Sequence, residues 1–241
     1  EGALVFAFHP HQDRFVVGAN DVIMLDGSTD PRRATWFPLV ETALQVVLDC
    51  GSVLNDLVVV VGLGELGILV ALLLQRAGAD VLGVEIRPER RDLAREVRLR
   101  VSAPADTASL VAELGGGGGV GLLVEASGSP DALSDALELM AHEGTVLIAS
   151  WYGTRDVRLP LGGAFHRRRL TIRSTQVSTI GSGQSARWDL PRRRRAAAAL
   201  LAELPLAELP VLELPFERAA DAYAHLDSGG GEYLHVRLRY E

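Results

Sequence analysis

Lysine is absent from this chain of 241 residues, because all 24 of its basic side chains are arginines. The absence excludes enzymes that form a Schiff base through a lysine amine. It also excludes the Gly-Lys turn of a Walker-type phosphate-binding loop. Any chemistry of this chain therefore has to work without a lysine.

Disulfides, long apolar runs and basic character are also missing. Cys50 is the single cysteine, so no internal disulfide can form, which is typical of a reducing, cytoplasmic setting. No apolar run reaches the roughly 18 residues of a membrane span, and no signal peptide is recognisable at residue 1. The formal net charge of -7 argues against a nucleic-acid partner. We read the arginine runs at 167–169 and 192–195 as solvated side chains.

The middle of the chain alternates short apolar runs with helical patterns. The alternation, together with apolar runs that lack polar residues at every second position, predicts an α/β fold with a doubly wound parallel sheet of the Rossmann type. The predicted strands are 57–61, 81–85, 99–101, 122–125, 146–150 and 170–174, and the predicted helices are 66–77, 87–97, 106–114 and 130–142.

The two ends of the chain have a different pattern. Strand-like pieces at 4–8, 15–17 and 22–25 are separated by turn residues. The tail begins as a helix at Pro191 and continues with a short strand, a helix at 216–226 and a strand at 233–240. Both ends are therefore interpreted as parts of one smaller β-rich unit, which the central sheet divides.

A glycine-rich turn joins the first strand of the sheet to a helix. This placement favours phosphate binding, because glycine lets a phosphate approach the backbone and the helix N-terminus supplies N–H donors. Glu85 ends the next predicted strand, where its carboxylate can accept hydrogen bonds from an adenosine ribose. The residues of the turn are Gly62, Leu63, Gly64, Glu65, Leu66 and Gly67.

The turn and the acid indicate a dinucleotide site, and Glu85 favours NAD over NADP, because a 2′-phosphate would face its charge. Arg87, Arg90 and Arg91 lie just beyond and weaken that preference. Two other readings stay open. One is a methyltransferase-like S-adenosylmethionine site, which shares the turn and the acid, and the other is a turn that serves packing alone.

Several of these segments resemble the medium-chain dehydrogenase/reductase family, in its zinc-type alcohol dehydrogenase group. The resemblance covers nearly the whole chain and does not specify the substrate. The segments that carry it are "VVVVGLGELGILVALLLQRAGADVLGVEIRPERRDLA", "VEASGSPDALSDAL", "GTVLIASWYG", "FHRRRLTIRSTQVSTI" and "VFAFHPHQDRFVV".

The resemblance implies a Rossmann domain inserted into a GroES-like β-rich catalytic domain. It assigns residues 1–39 to the end of the catalytic domain, 40–185 to the Rossmann domain and 186–241 to a tail that returns to the catalytic domain. The front of the catalytic domain is expected to be missing, in agreement with the absent initial methionine. The usual zinc ligands of the family come from that front, so the metal of this chain stays unknown.

Three candidate catalytic residues follow from the resemblance and the local pattern. A further family ligand position falls on Pro38, which cannot bind metal, and Glu41, about one turn on, is a candidate to replace it. A glutamate favoured by the helix dipole is the alternative interpretation. Thr42 matches a position that packs against the nicotinamide. His9 shares the short motif "HPHQD" with His11 and is a candidate for metal binding or proton relay, unless this is simply a polar loop.

Other cofactor contacts are also implied by the resemblance. Arg90 matches a residue that holds the adenosine ribose. Ser127, in Ala126-Ser127-Gly128, and Ser150, at the end of the fifth strand, match residues beside the nicotinamide. The carboxyl ends of parallel strands are where ligands of such sheets bind, so the placement agrees with the predicted fold.

The expected function is NAD-dependent hydride transfer between a small-molecule alcohol and its carbonyl product, by a homodimer. The short-chain dehydrogenase alternative is excluded, since it needs a Tyr-x-x-x-Lys pair and the chain has no lysine. A zinc-independent enone or quinone reductase stays open, as does a non-catalytic NAD(H)-binding module if the chain is complete.

Overall fold

The computed structural model describes residues 2–229 and 232–240, so the predicted domain bounds at residues 1 and 241 lie outside the described residues. The chain forms two compact units. We call Thr42–Asp189 the central unit, and Glu1–Glu41 together with Leu190–Glu241 the flanking unit. In the part of the chain that the structure describes, no helix is both long and apolar enough to cross a membrane.

The strands and helices follow in chain order. The strands are β1 (Val5–Ala7), β2 (Val22–Met24), β3 (Leu57–Val61), β4 (Asp80–Val84), β5 (Arg100–Ser102), β6 (Val120–Glu125), β7 (Met140–Ile148), β8 (Thr171–Ser174), β9 (Val211–Pro215) and β10 (His235–Arg239). The helices are α1 (Pro31–Ala34), α2 (Phe37–Cys50), α3 (Glu65–Arg76), α4 (Pro88–Glu96), α5 (Pro104–Leu114), α6 (Pro130–Leu139), α7 (Ala164–Arg167), α8 (Leu190–Glu203) and α9 (Ala219–Asp227).

The central unit is built on a six-stranded parallel sheet with the strand order β5-β4-β3-β6-β7-β8. Val59 of β3 pairs with Leu82 on one side and Leu123 on the other, and all three side chains are fully buried. Strands buried on both faces are expected to be continuously apolar, and this explains the valine run of β3. The predicted α/β fold with a doubly wound sheet is confirmed.

The order of strands places the reversal of the sheet beside β3. The chain moves from β3 outward through β4 to β5, and then returns to the other side of β3 as β6. The turns after β3, β4, β6 and β7 therefore meet at one edge of the sheet, where ligands of such sheets bind. This edge carries the predicted cofactor residues.

Two sequence predictions of secondary structure were wrong. Residues 140–142, predicted as the end of a helix, begin β7, because Met140 leaves the helical conformation and buries its side chain in the hydrophobic core. Residues 15–17, predicted as a strand, have irregular backbone. Val16 is 97% exposed and Phe15 stacks on His9, so this apolar triplet has no core to face.

Within its described residues, the flanking unit contains two small sheets. Strands β1 and β2 pair antiparallel, and β9 and β10 pair parallel, so the predicted strands at 4–8, 22–25 and 233–240 are confirmed in shorter form. Trp36, which is 1% exposed, stacks on His235 at a ring distance of 4.1 Å. The assignment of this unit to a GroES-like catalytic domain stays a prediction.

Candidate functional site

The glycine turn between β3 and α3 is closely packed against the loop that follows β6. Gly62 has a φ of +89°, and a Cβ atom at this position would lie 2.4 Å from the Cα atom of Ser127. A Cβ atom on Gly67 would lie 1.8 Å from the carbonyl oxygen of Gly62. Neither position accepts a side chain, so the helix and the two loops approach each other through bare backbone.

Glu85 holds the turn in place from the end of β4. Its side chain is 5% exposed, and its Oε2 atom accepts a hydrogen bond of 2.8 Å from the N–H group of Leu63. Its Oε1 atom accepts one of 2.9 Å from the N–H group of Arg87. A carboxylate oxygen has two lone pairs, so each oxygen keeps the capacity to accept a ribose hydroxyl.

Arg90 brings positive charge to the same turn. Its Nη1 atom lies 3.7 Å from the position that a Cβ atom of Gly64 would occupy. Its Nε atom is buried and has no hydrogen-bond partner among residues 2–229 and 232–240. Arg91 is engaged differently, because its Nη1 atom donates to the carbonyl oxygens of Glu85 and Ile86. Arg90 is therefore the guanidinium placed to bind a phosphate or ribose oxygen at the turn.

The turn also begins a helix whose first N–H groups point toward the carboxyl edge of the sheet. Gly64 is the N-cap of α3 and brings no side chain over this first turn. Such a helix N-terminus is suited to an anion, since it combines N–H donors with the positive end of the helix dipole. The predicted residues Glu65 and Leu66 lie in this first turn, while the side chain of Leu63 is fully buried in the core.

A second buried glutamate lies at the same edge, and the sequence analysis did not single it out. Glu125 ends β6 and is fully buried. Its Oε1 atom accepts a 2.7 Å bond from the N–H group of Ser127, and also a bond from the Ser127 hydroxyl. Its Oε2 atom accepts a 2.5 Å bond from the Tyr152 hydroxyl. The available signal was a charged residue that closes an otherwise apolar strand.

Ser127 and Ser150, the two predicted serines, lie on adjacent loops. The hydroxyl of Ser150 accepts a 2.8 Å hydrogen bond from the N–H group of Gly128, which links the loop after β6 to the loop after β7. Ser127 is exposed and lies against Gly62. The structure therefore brings together the glycine turn, Glu85, Arg90 and both serines at one edge of the sheet.

The three candidate catalytic residues have other neighbours. Glu41 is 2% exposed, and its Oε1 atom accepts bonds of 2.9 Å and 3.2 Å from the guanidinium of Arg193. Thr42 is half-buried on the next position of α2. The His9 ring stacks on Phe15 at 4.1 Å, and its Nδ1 atom donates to the carbonyl oxygen of Pro10. The catalytic roles assigned to these three residues stay predictions.

Two other kinds of reactive group are possible metal ligands and the thiol of Cys50. Within residues 2–229 and 232–240, no group of three or more His, Cys, Asp or Glu side chains is arranged to hold a metal ion. Burial raises the pKa of Cys50 to about 12, so its thiol stays protonated and unreactive near neutral pH.

One cavity lies away from the candidate site. It has a volume of about 360 Å³ and is lined by Cys50, Asp56, Gly121 and Thr145, among others, near the starts of the strands. In parallel α/β sheets ligands bind outside the carboxyl ends of the strands, which is the opposite edge. The position of this cavity therefore does not change the assignment of the site.

The sheet, the glycine turn, the acid at the end of β4 and the basic side chain beside it define the central unit as a Rossmann-type domain of the dinucleotide-binding class. Comparison with known sequences agrees and is more specific. The family described as zinc-binding dehydrogenase matches residues 66–192, which is more than half of the chain. The chain belongs to this family.

Individual relatives are dehydrogenases. The chain is 35% identical over 130 residues to the (R,R)-butanediol dehydrogenase of Bacillus subtilis, a match that covers 52% of the chain and 35% of the relative. It is 28% identical over 165 residues to the D-guloside 3-dehydrogenase of Escherichia coli, which covers 67% and 47%. Among solved structures, the alcohol dehydrogenase of Thermus sp. ATN1 superposes with a TM-score of 0.75 at 25% identity.

The coverage of these relatives is partial. The Thermus match includes 92% of this chain and 63% of that enzyme. The chain matches less than half the length of the two curated relatives, 35% and 47%. Membership of the family is therefore established over residues 66–192, most of which lie in the central unit.

Proposed function

We propose that this chain is the cofactor-binding part of an NAD-dependent oxidoreductase that transfers a hydride between an alcohol and the corresponding carbonyl compound. The observation that carries the proposal is the arrangement of Glu85 and Arg90 around the glycine turn of a family member. The turn offers backbone donors, Arg90 offers a guanidinium whose Nε atom lacks a partner in the described chain, and Glu85 offers acceptors.

Different residues of the site bind different parts of the cofactor. The first turn of α3 and Arg90 bind the pyrophosphate and the adenosine ribose, and Glu85 accepts hydrogen bonds from the ribose hydroxyls. Ser127 and Ser150 lie at the nicotinamide end, on the loops after β6 and β7. When bound, the nicotinamide supplies the hydride chemistry. These side chains orient it and do not react themselves.

The preference for NAD rests on Glu85. Its carboxylate is buried and fixed by the N–H groups of Leu63 and Arg87, so it cannot easily swing away from a ligand. A 2′-phosphate on the ribose would face this fixed negative charge. Arg91 is less available to such a phosphate, because its Nη1 atom already donates to two backbone carbonyl oxygens. Arg90 is the guanidinium beside the turn that could counter the repulsion.

The residues that the structure describes do not form a metal site, and Glu41 is bonded to Arg193. We therefore assign no step to zinc. The substrate we propose is a small alcohol or carbonyl compound, as the names of the related butanediol and guloside dehydrogenases suggest for those enzymes.

The assembly we propose is a homodimer in the cytoplasm. β8 is the last strand of the central sheet and therefore offers an edge to a second copy. Light scattering of the purified chain tests this assembly. A mass of one chain at micromolar concentration would contradict it.

The activity is tested with the purified chain, NAD and a panel of secondary alcohols that includes 2,3-butanediol. The readout is the absorbance of reduced nicotinamide. We expect NADH to bind the chain, as measured by nicotinamide fluorescence, and we expect much weaker binding by Gly67→Ala, which cannot close the turn. NADH formation with at least one alcohol would show that the chain alone is active, and a chain that does not bind NADH would contradict the proposal.

A further inference from the structure

The loops after β6 and β7 are joined through one carboxylate. Glu125 accepts hydrogen bonds from the N–H group and the hydroxyl of Ser127 on the first loop. It also accepts a 2.5 Å bond from the hydroxyl of Tyr152 on the second loop. One side chain, contributed by the end of a strand, therefore bonds to both loops.

Other bonds reinforce the same junction. The N–H group of Gly128 donates to the Ser150 hydroxyl at 2.8 Å, and Arg155 donates to the carbonyl oxygen of Gly128 at 2.7 Å. The carbonyl oxygen of Glu125 accepts from the N–H groups of Ala149 and Ser150 at 2.8 Å and 3.1 Å. The backbone and side chain of Glu125 thus bond to both loops.

The loop after β6 also packs directly against the glycine turn. Ser127 lies so close to Gly62 that a Cβ atom on Gly62 would come within 2.4 Å of the Ser127 Cα atom. A shift of Ser127 would therefore open or close the turn itself. The carboxylate of Glu125 is connected to the cofactor turn through one residue.

A fully buried carboxylate is an expensive way to join two loops. Removing a charge from water is unfavourable, and well-packed apolar side chains often give equal or greater stability. Burial and the hydrogen bond to Glu125 raise the pKa of Tyr152, so the phenol keeps its proton and remains a donor. A buried carboxyl group that accepts hydrogen bonds from both loops is explained if this site needs fixed loop geometry more than it needs stability.

We propose that Glu125 is a positioning residue for the nicotinamide half of the cofactor, acting through Ser127 and Tyr152. The inference rests on the proposed function, and it adds a residue to that site which the sequence analysis did not assign. Glu125 does not touch the cofactor. It holds the exposed Ser127 and the loop after β7 in the positions from which they contact the nicotinamide ribose.

The two halves of the cofactor should respond differently to loss of this carboxylate. ADP occupies the half that is bound by the turn, Glu85 and Arg90. NADH occupies both halves. A positioning role therefore predicts weaker binding of NADH with little change for ADP, whereas general destabilisation weakens both ligands together.

The experiment measures dissociation constants of NADH and ADP by calorimetry, on the full chain and on four variants. Glu125→Ala removes the carboxylate, and Tyr152→Phe removes one of its bonds. Glu125→Gln preserves the shape, with an oxygen for Ser127 and an amide group that can donate to Tyr152. Thr107→Val is the matched control, because Thr107 is 2% exposed and bonds to Ser102 and Ala103 at the start of α5, beside Glu85 in the adenosine half of the site and not in the two loops that Glu125 joins.

We expect Glu125→Ala to weaken NADH binding about tenfold or more and to leave ADP within about twofold, since buried donors without partners distort the loops. Tyr152→Phe should weaken NADH about threefold, and Glu125→Gln should recover most of the affinity. Thr107→Val should lower the melting temperature with the ratio of the two constants unchanged.

Three results would overturn the inference. One is unchanged NADH affinity in Glu125→Ala, and another is an equal loss for NADH and ADP in proportion to the melting temperature. If Glu125→Ala does not fold, a Tyr152→Phe variant with wild-type NADH affinity is equally decisive. A wild-type chain that binds neither ligand would refute the proposed function as well, so the two failures are distinguishable.

Discussion

The central and flanking units both bury glutamates, but they compensate the buried charge in different ways. In the central unit, Glu85 and Glu125 accept hydrogen bonds from backbone N–H groups and hydroxyls. In the flanking unit, Glu41 forms an ion pair of 2.9 Å with Arg193, and both side chains are almost fully buried. The same residue type is thus held by loop backbone in one unit and by a guanidinium in the other.

The difference bears on ligand binding. A carboxylate that is satisfied by loop amides fixes the shape of the loop, and it leaves a neighbouring guanidinium such as Arg90 available to an incoming anion. A carboxylate that is satisfied by an arginine joins two helices and uses the charge of both partners. The central glutamates thus fix the loops at the proposed cofactor edge, and Glu41 forms an ion pair within the flanking unit, while its catalytic role stays a prediction.

The largest expected effect is loss of the ion pair in the flanking unit. Arg193→Ala leaves Glu41 buried without its main partner, and breaking such a pair costs about 3–5 kcal/mol. The measurement is the free energy of unfolding from urea denaturation. Arg195→Ala on the same helix is the control, since Arg195 is exposed and should change stability by less than about 0.5 kcal/mol. Equal effects for both variants would remove the contrast between the two units.

The second-largest expected effect is the loss of NADH binding when a side chain opens the glycine turn. Gly67→Ala places a Cβ atom 1.8 Å from the Gly62 oxygen, so the turn has to open, at a cost of about 1–3 kcal/mol. NADH binding should fall by more than about a hundredfold, as measured by fluorescence titration. Gly121→Ala is the matched control, because a Cβ atom there meets nothing within 4 Å. Normal NADH binding by Gly67→Ala would contradict the proposed site.

Neutralising the acid of the turn should change the choice of cofactor. Glu85→Gln keeps an oxygen for the hydrogen bonds but removes the charge that faces a 2′-phosphate. We expect NADH affinity to fall about tenfold and the NADH preference over NADPH to shrink or reverse, a change of about 1–2 kcal/mol. Titrations with both cofactors measure it, with the exposed Glu89→Gln as the control. An unchanged preference would show that Glu85 does not select the cofactor.

The smallest expected effect is a loss of stability at alkaline pH. The folded chain raises the pKa of Cys50 from 9.0 to about 12 through burial, so the thiol ionises more easily when unfolded. The stabilisation that comes from this shift in pKa is fully present below pH 9 and is lost between pH 9 and about 12. By pH 10 the free energy of unfolding should have fallen by about 1 kcal/mol. Urea denaturation at pH 8 and pH 10 measures the loss. Cys50→Ala should show a smaller loss, and an equal loss in both proteins would contradict the assignment to Cys50.

The parallel sheet, the glycine turn and the acid at the end of the next strand were predictable from sequence. Buried parallel strands appear as apolar runs, and the order of glycine turn, helix and strand-end acid is local information. Long-range pairing is not local. The bonds from Glu125 to Tyr152 and from Glu41 to Arg193 join residues far apart in the chain, so the sequence offered only isolated charged residues in apolar surroundings.

The wrong predictions have a related physical cause. Residues 15–17 have strand-like composition, yet Val16 is 97% exposed because strand formation depends on a partner and a core that composition does not reveal. Residues 140–142 continue a helical pattern, but burial of Met140 in the core favours the sheet. Tertiary contacts decided both cases.

The central claim is that the edge around Gly62, Glu85 and Arg90 binds a nicotinamide dinucleotide, and competition calorimetry on the full chain tests it most directly. NADH, NADPH and S-adenosylmethionine are titrated separately, and S-adenosylmethionine is then titrated into the NADH complex. The account predicts one saturable NADH site, weaker NADPH binding and no displacement by S-adenosylmethionine. Binding of S-adenosylmethionine without binding of NADH would contradict it.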